Sequence, residues 1–224
     1  MKKKAIIISI KSFKLTDKEK ILLSKEKPWG LILFKRNIKS YIQIKVLIDQ
    51  IKKLTKDKNF PILIDEEGDM VSRLRDIINH NLSQNFFGDL YQINNKLSIR
   101  LYKNYLNSLC KILKSVGINI NTIPVLDILK KNTNKVIGKR SFSNKKEVVK
   151  KLGKITVETC HSRKIISVIK HIPGHGSAKS DSHFQTPIVN LNMNELNNND
   201  FSVFKSNPAK LAMTAHILYK KIDT

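Results

Sequence analysis

Cysteine is scarce in this chain of 224 residues, which contains only Cys110 and Cys160. Both lie in segments with a helical pattern, and they suggest no disulfide framework of the kind that stabilises small secreted domains. Long apolar runs are missing too, since no stretch approaches the roughly 18 residues that a membrane-spanning helix needs. The composition therefore indicates a globular protein that folds around a substantial core without disulfide cross-links.

The amino terminus resembles the beginning of a secretion signal but does not complete one. Three lysines precede a short apolar run at residues 5–10. That run is too short for a signal peptide, Lys11 and Lys14 lie directly behind it, and no small-residue cleavage site is present. We interpret residues 5–10 as a first buried strand and expect a cytoplasmic protein.

Acidic residues are few, because 42 lysines and arginines accompany 18 aspartates and glutamates, for a formal net charge of +24. Such a charge is compatible with a nucleic-acid or anionic-membrane partner. However, the cations are mostly lysines spread along the whole chain, and arginine, which makes bidentate contacts to phosphate, is scarce. We therefore expect no nucleic acid and no membrane as partner, although the charge would speed the association of an anionic substrate.

Apolar runs with the length of buried strands alternate with amphipathic helical segments. Continuous apolar strands separated by helices are typical of a parallel sheet covered on both faces. The strand candidates are residues 5–10, 30–34, 61–64, 118–122, 165–169 and 211–214.

Helix ends can be located between these strands. Thr16 and Glu19 form the capping-box pattern of a helix start, and Gly117 is a typical residue after a helix end. Ser143 is predicted to cap a later helix. The Asn-rich stretch 77–95 is predicted to be loop with short helical turns, and 192–200 to be a polar connection.

Four of the predicted strands lead directly into polar residues, which are Asp65, Asp127, His171 and His216. In a β/α barrel such strand ends converge on one face, whereas a doubly wound sheet gathers only those near its switch point. The pattern favours a TIM-type (β/α)8 barrel. Because about six strands are present, we expect one α/β domain over residues 1–224, incomplete at its carboxyl terminus.

The densest group of titratable side chains begins at Lys170. Three of the six histidines fall between positions 171 and 183, directly after the apolar run 165–169. Loops held by a rigid scaffold are where binding and catalysis concentrate. We therefore predict that a loop beginning at Lys170 forms one wall of an active site.

Two kinds of chemistry fit these histidines. His171 and His175 are four residues apart, but the Pro-Gly pair between them excludes a helical zinc pair. A metal ion held by His171, His175, Asp181 and His183 remains an alternative. In an extended segment, Asp181 would instead fix the tautomer of His183 and make it an acid/base group.

Together the motifs resemble the signature of family 3 glycoside hydrolases, and most of all the bacterial β-N-acetylglucosaminidases of peptidoglycan recycling. The most specific motif is Lys-His-Ile-Pro-Gly-His-Gly at residues 170–176, followed by Asp-Ser-His at 181–183. Further matching segments are residues 30–37, 64–73, 124–127, 137–142 and 213–216.

The resemblance implies hydrolysis of terminal β-1,4-linked N-acetylglucosamine from muropeptides by a retaining mechanism, with no metal and no organic cofactor. It implies that His183 is the acid/base and Asp181 its orienting partner. It also implies a small-molecule sugar as partner, bound by five residues, namely Asp65, Arg73, Arg140, Lys170 and His171.

The sequence also departs from the family pattern. The family's nucleophilic aspartate lies in a Thr-Asp-Asp-Leu-like segment well beyond the Thr-Ala-His motif, and no segment up to Thr224 resembles it. Glu66 and Asp69 stand where the family usually has glutamine and glycine. We expect an amino-terminal portion with impaired hydrolysis, or alternatively an inactive sugar-binding remnant or interaction protein.

Overall fold

The computed structural model describes residues 3–180, 186–207 and 209–222. Eight strands lie in these ranges: β1 (Lys4–Ile8), β2 (Pro28–Leu33), β3 (Ile62–Ile64), β4 (Ile120–Asn121), β5 (Ile166–Ile172), β6 (Ile188–Val189), β7 (Leu211–Thr214) and β8 (Leu218–Tyr219). Six form one sheet in the order β1-β2-β3-β4-β5-β7, and β6 pairs with β8.

Every pair in the large sheet is parallel, and its six strands lie side by side in chain order, with β6 belonging to the smaller sheet. A doubly wound sheet would reverse its order at a switch point, whereas a barrel keeps chain order. The sheet is therefore an incomplete α/β barrel of six strands, as predicted.

Seven α-helices accompany the sheet in the described ranges: α1 (Asp17–Lys25), α2 (Tyr41–Thr55), α3 (Gln84–Ile93), α4 (Asn95–Val116), α5 (Lys146–Ser162), α6 (Met193–Asn198) and α7 (Asp200–Lys205). Alternate residues of the strands, such as Leu31 and Ile64, pack with apolar residues of α2, α4 and α5 into the main core. None of the helices in the described ranges is both long and apolar enough to cross a membrane.

Two of the predicted helix ends are confirmed. Thr16 Oγ1 accepts a hydrogen bond from the Glu19 amide at 3.3 Å, and Glu19 Oε2 accepts one from the Thr16 amide at 2.7 Å. Gly117 ends α4 with φ of 95°, the left-handed conformation that favours glycine. The prediction for Ser143 is wrong, because the cap of α5 is Lys145, and Ser143 Oγ accepts from the amide of Lys145 itself and donates to Asn144 Oδ1.

Both Asn-rich stretches contain more helix than the sequence indicated. Residues 77–95 include all of α3, and Asn94 caps α4 by accepting from the Leu97 amide at 3.0 Å. Residues 192–200 form α6 and the start of α7, with Asn192 as the cap of α6. Asparagine side chains favour such caps because they bond nearby backbone groups, so the Asn-rich composition marked helix starts instead of loops.

The histidine segment differs from its prediction as well. β5 extends to Ile172, so Lys170 and His171 belong to the strand and not to a loop that follows it. Lys170 pairs with Met213 of β7, and a register shift lies between Lys170 and Ile172. These two side chains are therefore positioned by the sheet itself.

Candidate active site at the carboxyl ends of the strands

A cavity of about 470 Å³ opens at the carboxyl ends of β3, β5 and β7. The polar residues that line it include the five predicted sugar-binding side chains and three further ones. The five are Asp65, Arg73, Arg140, Lys170 and His171, and the three are Glu67, His175 and His216. The structure thus brings together side chains that are up to 151 positions apart, between 65 and 216.

Asp65 follows β3 and lies among donors. The Thr122 hydroxyl donates to Oδ1, Arg73 Nη2 lies 3.3 Å from Oδ2, and Lys170 Nζ lies 3.5 Å from Oδ1. Burial acts to raise the pKa of Asp65, but the charge of Lys170, the Thr122 hydrogen bond and Arg73 outweigh it and keep that pKa below its usual value. The carboxylate is therefore ionised and available to accept hydrogen bonds from a ligand.

Glu67 lines the cavity with Asp65 and forms ion pairs with two cations. Arg140 donates from Nε to Oε2 at 2.7 Å and from Nη2 to Oε1 at 2.9 Å, and Lys170 Nζ forms an ion pair with the same carboxylate. Lys170 is only 1% exposed and also donates to Thr122 Oγ1 at 2.9 Å. Burial would raise the pKa of Glu67, but Lys170 and Arg140 lower it further than burial raises it. The buried lysine is thus fully paired.

His171 is oriented by a buried carboxylate. Asp127 follows β4, is 0% exposed, and its Oδ2 lies 2.7 Å from His171 Nδ1. Its Oδ1 accepts from the His175 amide at 2.6 Å. Although burial acts to raise the pKa of Asp127, the charge and hydrogen bond of His171 lower it on balance. With Nδ1 facing Asp127, the Nε2 atom of His171 faces Arg140, whose Nη2 lies 3.4 Å away.

His175 lies behind this group. Its ring is buried, and its ring nitrogens have no hydrogen-bond partner among the residues that the structure describes. Burial lowers the pKa of His175 more than the charge of Asp127 raises it. The side chain is therefore held as neutral imidazole against His171, with ring centroids 6.1 Å apart.

The segment that carries Asp65 and Arg73 is fixed by Glu66. Glu66 Oε2 accepts from the backbone amides of Arg73 and Leu74, both at 2.8 Å, and its Oε1 lies 2.8 Å from His80 Nε2. Its own backbone is bound by Asn121, which accepts from the amide at 3.0 Å and donates to the carbonyl at 2.9 Å. His80 thus accommodates the glutamate at position 66, where the resemblance implies a glutamine.

Sequence reasoning missed three members of this arrangement. Glu67 and Thr122 were not expected as site residues, and Asp127 was noticed as a polar residue after a strand and as part of the matching segment 124–127, without a role in the site. The sequence did contain a signal for Glu67. A carboxylate that is buried at the end of an apolar strand needs a cationic partner. Because arginines are scarce, the few that occur are candidates for that partner. Asp181 and His183, the predicted acid/base pair, lie outside the described residues, so their roles stay predictions.

The metal alternative also stays a prediction. In residues 3–180, 186–207 and 209–222, no group of three or more histidine, cysteine, aspartate or glutamate side chains is arranged to hold a metal ion. Two of the four candidate ligands, Asp181 and His183, are outside those ranges.

Comparison with known sequences gives a family. Residues 2–224 match the glycosyl hydrolase family 3 N terminal domain. A beta-hexosaminidase of Idiomarina loihiensis is 33% identical over 221 residues, which are 97% of this chain and 65% of that protein. A beta-hexosaminidase of Nitrosomonas eutropha is 30% identical over 221 residues, covering 97% of this chain and 63% of that protein. The chain thus spans less than two thirds of these relatives.

Solved structures agree with this result. Native NagZ from Neisseria gonorrhoeae superposes with a TM-score of 0.93 at 30% identity, over 99% of this chain and 65% of that one. NagZ from the same organism in complex with N-trifluoroacetyl-D-glucosamine superposes with a TM-score of 0.91 at 30% identity, over 99% and 66% of the two chains. The similarity therefore covers the whole described site.

Proposed function

This chain belongs to glycosyl hydrolase family 3, and from that premise we propose that it supplies the sugar-binding part of a β-N-acetylhexosaminidase. The proposed substrate is terminal N-acetylglucosamine, β-1,4-linked to the muramic acid of peptidoglycan-derived muropeptides. The observation that carries the proposal is the convergence of Asp65, Arg73, Arg140, Lys170 and His171 on one cavity. Relatives named beta-hexosaminidase and a neighbour in complex with an N-acylated glucosamine support the choice of sugar.

The chemistry of the cavity suits a polyhydroxylated ligand. A carboxylate such as Asp65 accepts hydrogen bonds from sugar hydroxyls, while guanidinium and ammonium groups donate to hydroxyl and carbonyl oxygens. Glu67 pairs with Arg140 and Asp127 binds His171, so that both side chains are held before the ligand arrives. Such preorganisation reduces the ordering cost of binding.

For the reaction we propose a retaining double displacement with His183 as acid/base and Asp181 as its orienting partner. His183 protonates the leaving oxygen, an aspartate attacks the anomeric carbon, and His183 then deprotonates the water that resolves the glycosyl-enzyme. No segment of these 224 residues resembles the family's nucleophile motif. We therefore expect the nucleophile in the part of the relatives' length that this chain does not span.

We also propose that residues 1–224 form a single domain, that the protein is cytoplasmic, and that it uses no organic cofactor and no metal.

Binding is tested by calorimetric titration of the chain with N-acetylglucosamine. We expect affinity in the millimolar range and its loss in Asp65→Asn, while Asp89→Asn, an exposed aspartate on α3, keeps the affinity of the unchanged chain. Binding that is equal in both variants, or absent in the unchanged chain, would overturn the proposal.

Turnover is tested separately with a chromogenic β-N-acetylglucosaminide. The missing nucleophile motif favours a second candidate function, an inactive sugar-binding protein, for this 224-residue chain. We expect sugar binding with no family-like turnover, and turnover once a Thr-Asp-Asp-Leu-like segment is supplied. Robust turnover by this chain alone, lost in His183→Ala, would contradict the assignment of the nucleophile.

A further inference from the structure

We propose that Cys110 and Cys160 form an oxidisable dithiol, which a low-molecular-weight disulfide converts into a covalent link between α4 and α5. The two Sγ atoms lie 3.7 Å apart, and both residues are buried. They are the two cysteines of the sequence. Neither cysteine lines the sugar cavity, so their oxidation does not depend on the proposed function.

The helix pair is already held in place around the thiols. Tyr102 on α4 and Thr156 on α5 share a hydrogen bond of 2.8 Å, and Arg163 Nε donates to Asn107 Oδ1 at 2.7 Å. A disulfide has an S–S distance of about 2.05 Å, so the sulfurs need to approach by about 1.7 Å from their present 3.7 Å. We expect rotation of the two side chains to supply this approach while the helices stay packed.

The two thiols have different electrostatic surroundings. The hydrogen bond between the two thiols lowers the pKa of Cys110, and the positive charge of Arg163 lowers it further, against the effect of burial. The pKa of Cys160 is raised by its contact with Cys110 and by burial. Because the thiolate is the attacking species and Cys110 is the thiol that lines a surface cavity, we assign Cys110 as the first nucleophile and Cys160 as the resolving thiol.

Access to the pair is also asymmetric. A surface cavity of about 410 Å³ is lined by Cys110 and by the cationic residues Lys111, Lys114, Arg163 and Lys164. Among the residues that the structure describes, Cys160 does not line this cavity. A basic entrance next to a thiol suits an anionic oxidant, and oxidised glutathione is a disulfide of this kind.

The reaction balances in two exchanges. The Cys110 thiolate attacks one sulfur of the oxidant, forming a mixed disulfide and expelling one glutathione thiolate. Cys160 then loses its proton to solvent and attacks the Cys110 sulfur, which expels the second thiolate. The protein loses two hydrogens, and one oxidant disulfide becomes two thiols.

The link would stabilise the fold without touching the sugar cavity. Cys110 and Cys160 lie before the amino ends of β4 and β5, whereas Asp127 and His171 lie at or beyond the carboxyl parts of these strands. Closing a loop of about 50 residues stabilises mainly by restricting the unfolded chain, so we expect the oxidised protein to melt roughly 5–10 °C higher.

The experiment incubates the full chain with oxidised glutathione and follows intact mass, free thiols and melting temperature. We expect a monomer that loses two hydrogens and two free thiols and melts at a higher temperature. Cys160→Ser should stop at a glutathione adduct on Cys110, and Cys110→Ser should stay unmodified while folded. Thiols that react only in denaturant, cross-linked dimers, or an adduct in Cys110→Ser but not in Cys160→Ser would overturn the proposal.

Discussion

The guanidinium group of Arg140 binds both carboxylate oxygens of Glu67, with Nε 2.7 Å from Oε2 and Nη2 2.9 Å from Oε1. Lys170 contacts the same carboxylate. Two of the cations that we propose for sugar binding are therefore held by one buried acid. The candidate site depends on Glu67 although Glu67 itself need not touch a ligand.

Removing the charge of Glu67 should damage both stability and binding. In Glu67→Gln the guanidinium of Arg140 loses its carboxylate partner and Lys170 keeps only Asp65 of its two carboxylate partners, which costs about 3 kcal/mol in the free energy of unfolding. We also expect at least a tenfold weaker affinity for N-acetylglucosamine. Urea unfolding and calorimetry measure the two effects, with Glu158→Gln, an exposed glutamate on α5, as the control. Equal behaviour of the two variants would contradict this role.

Glu66 should act through its acceptor oxygen, not through its charge. Glu66→Leu leaves the amides of Arg73 and Leu74 buried without a partner, which costs about 3 kcal/mol, and it releases Arg73 from its position. Glu66→Gln keeps a carbonyl oxygen at this place and should retain most of the sugar affinity. The same titration checks both variants, and a Glu66→Leu chain that binds as well as Glu66→Gln would refute the positioning role.

The strands of the large sheet were predictable because they are continuous apolar runs, and β2, β3 and β7 lie close to their predicted positions. The first strand was predicted to be buried, but β1 is largely exposed, and the short strands β6 and β8 were not predicted. The helix α3 was not, since Gln, Asn and Gly interrupt its apolar pattern. Its start at Ser83 is defined by a side-chain hydrogen bond to the Phe86 amide. Residue periodicity carries little information about such a contact.

The residues of the site could be predicted from the sequence more readily than the contacts between them. Asp65, Lys170 and His171 follow or end apolar strands, which made them visible in the sequence. Which cation pairs with which carboxylate depends on contacts across long chain separations, such as the 105 positions between Asp65 and Lys170. Glu67 and Asp127 were undervalued for that reason.

Stability should fall with mild acid because of His175. Its pKa is lowered by burial, so the folded protein favours the neutral ring more than the unfolded chain does. Because the pKa of His175 is lower in the folded state, the neutral ring contributes stability at pH values above its unfolded pKa of about 6.5. This contribution is lost as the pH falls through the folded pKa. The carboxyls of Asp65, Glu67 and Asp127, whose pKa values are also lowered, lose their contribution only below about pH 4.

Urea unfolding between about pH 7.5 and pH 5 isolates the histidine effect from the carboxylates. We expect the free energy of unfolding to decrease across this range in the unchanged chain and to decrease less in His175→Gln. Asp127, His171 and Arg140 face the ring and are retained in both proteins. Parallel pH profiles for the two chains would show that His175 is not the group responsible.

Gly174 should tolerate no side chain. Its φ of 134° is a backbone conformation that residues other than glycine rarely adopt. An added Cβ would lie 2.7 Å from the Cβ of Asp200. Asp200 cannot easily move away, because it is buried and its carboxylate pairs with Lys130 at 2.6 Å. Gly174→Ala should lower the free energy of unfolding by about 2 kcal/mol. Gly138→Ala is the matched control, because Gly138 also has a positive φ but nothing lies within 4 Å of its Cβ position. Equal losses in thermal unfolding would mean that contact with Asp200 adds nothing.

The proposed sugar site is tested most directly by a crystal structure of the chain with N-acetylglucosamine. We predict the sugar in the cavity, with hydroxyl groups within hydrogen-bond distance of Asp65 and His171 and with Arg73, Arg140 or Lys170 donating to its oxygens. A sugar bound elsewhere on the chain, or an empty cavity at a concentration that saturates binding in solution, would contradict the proposed site.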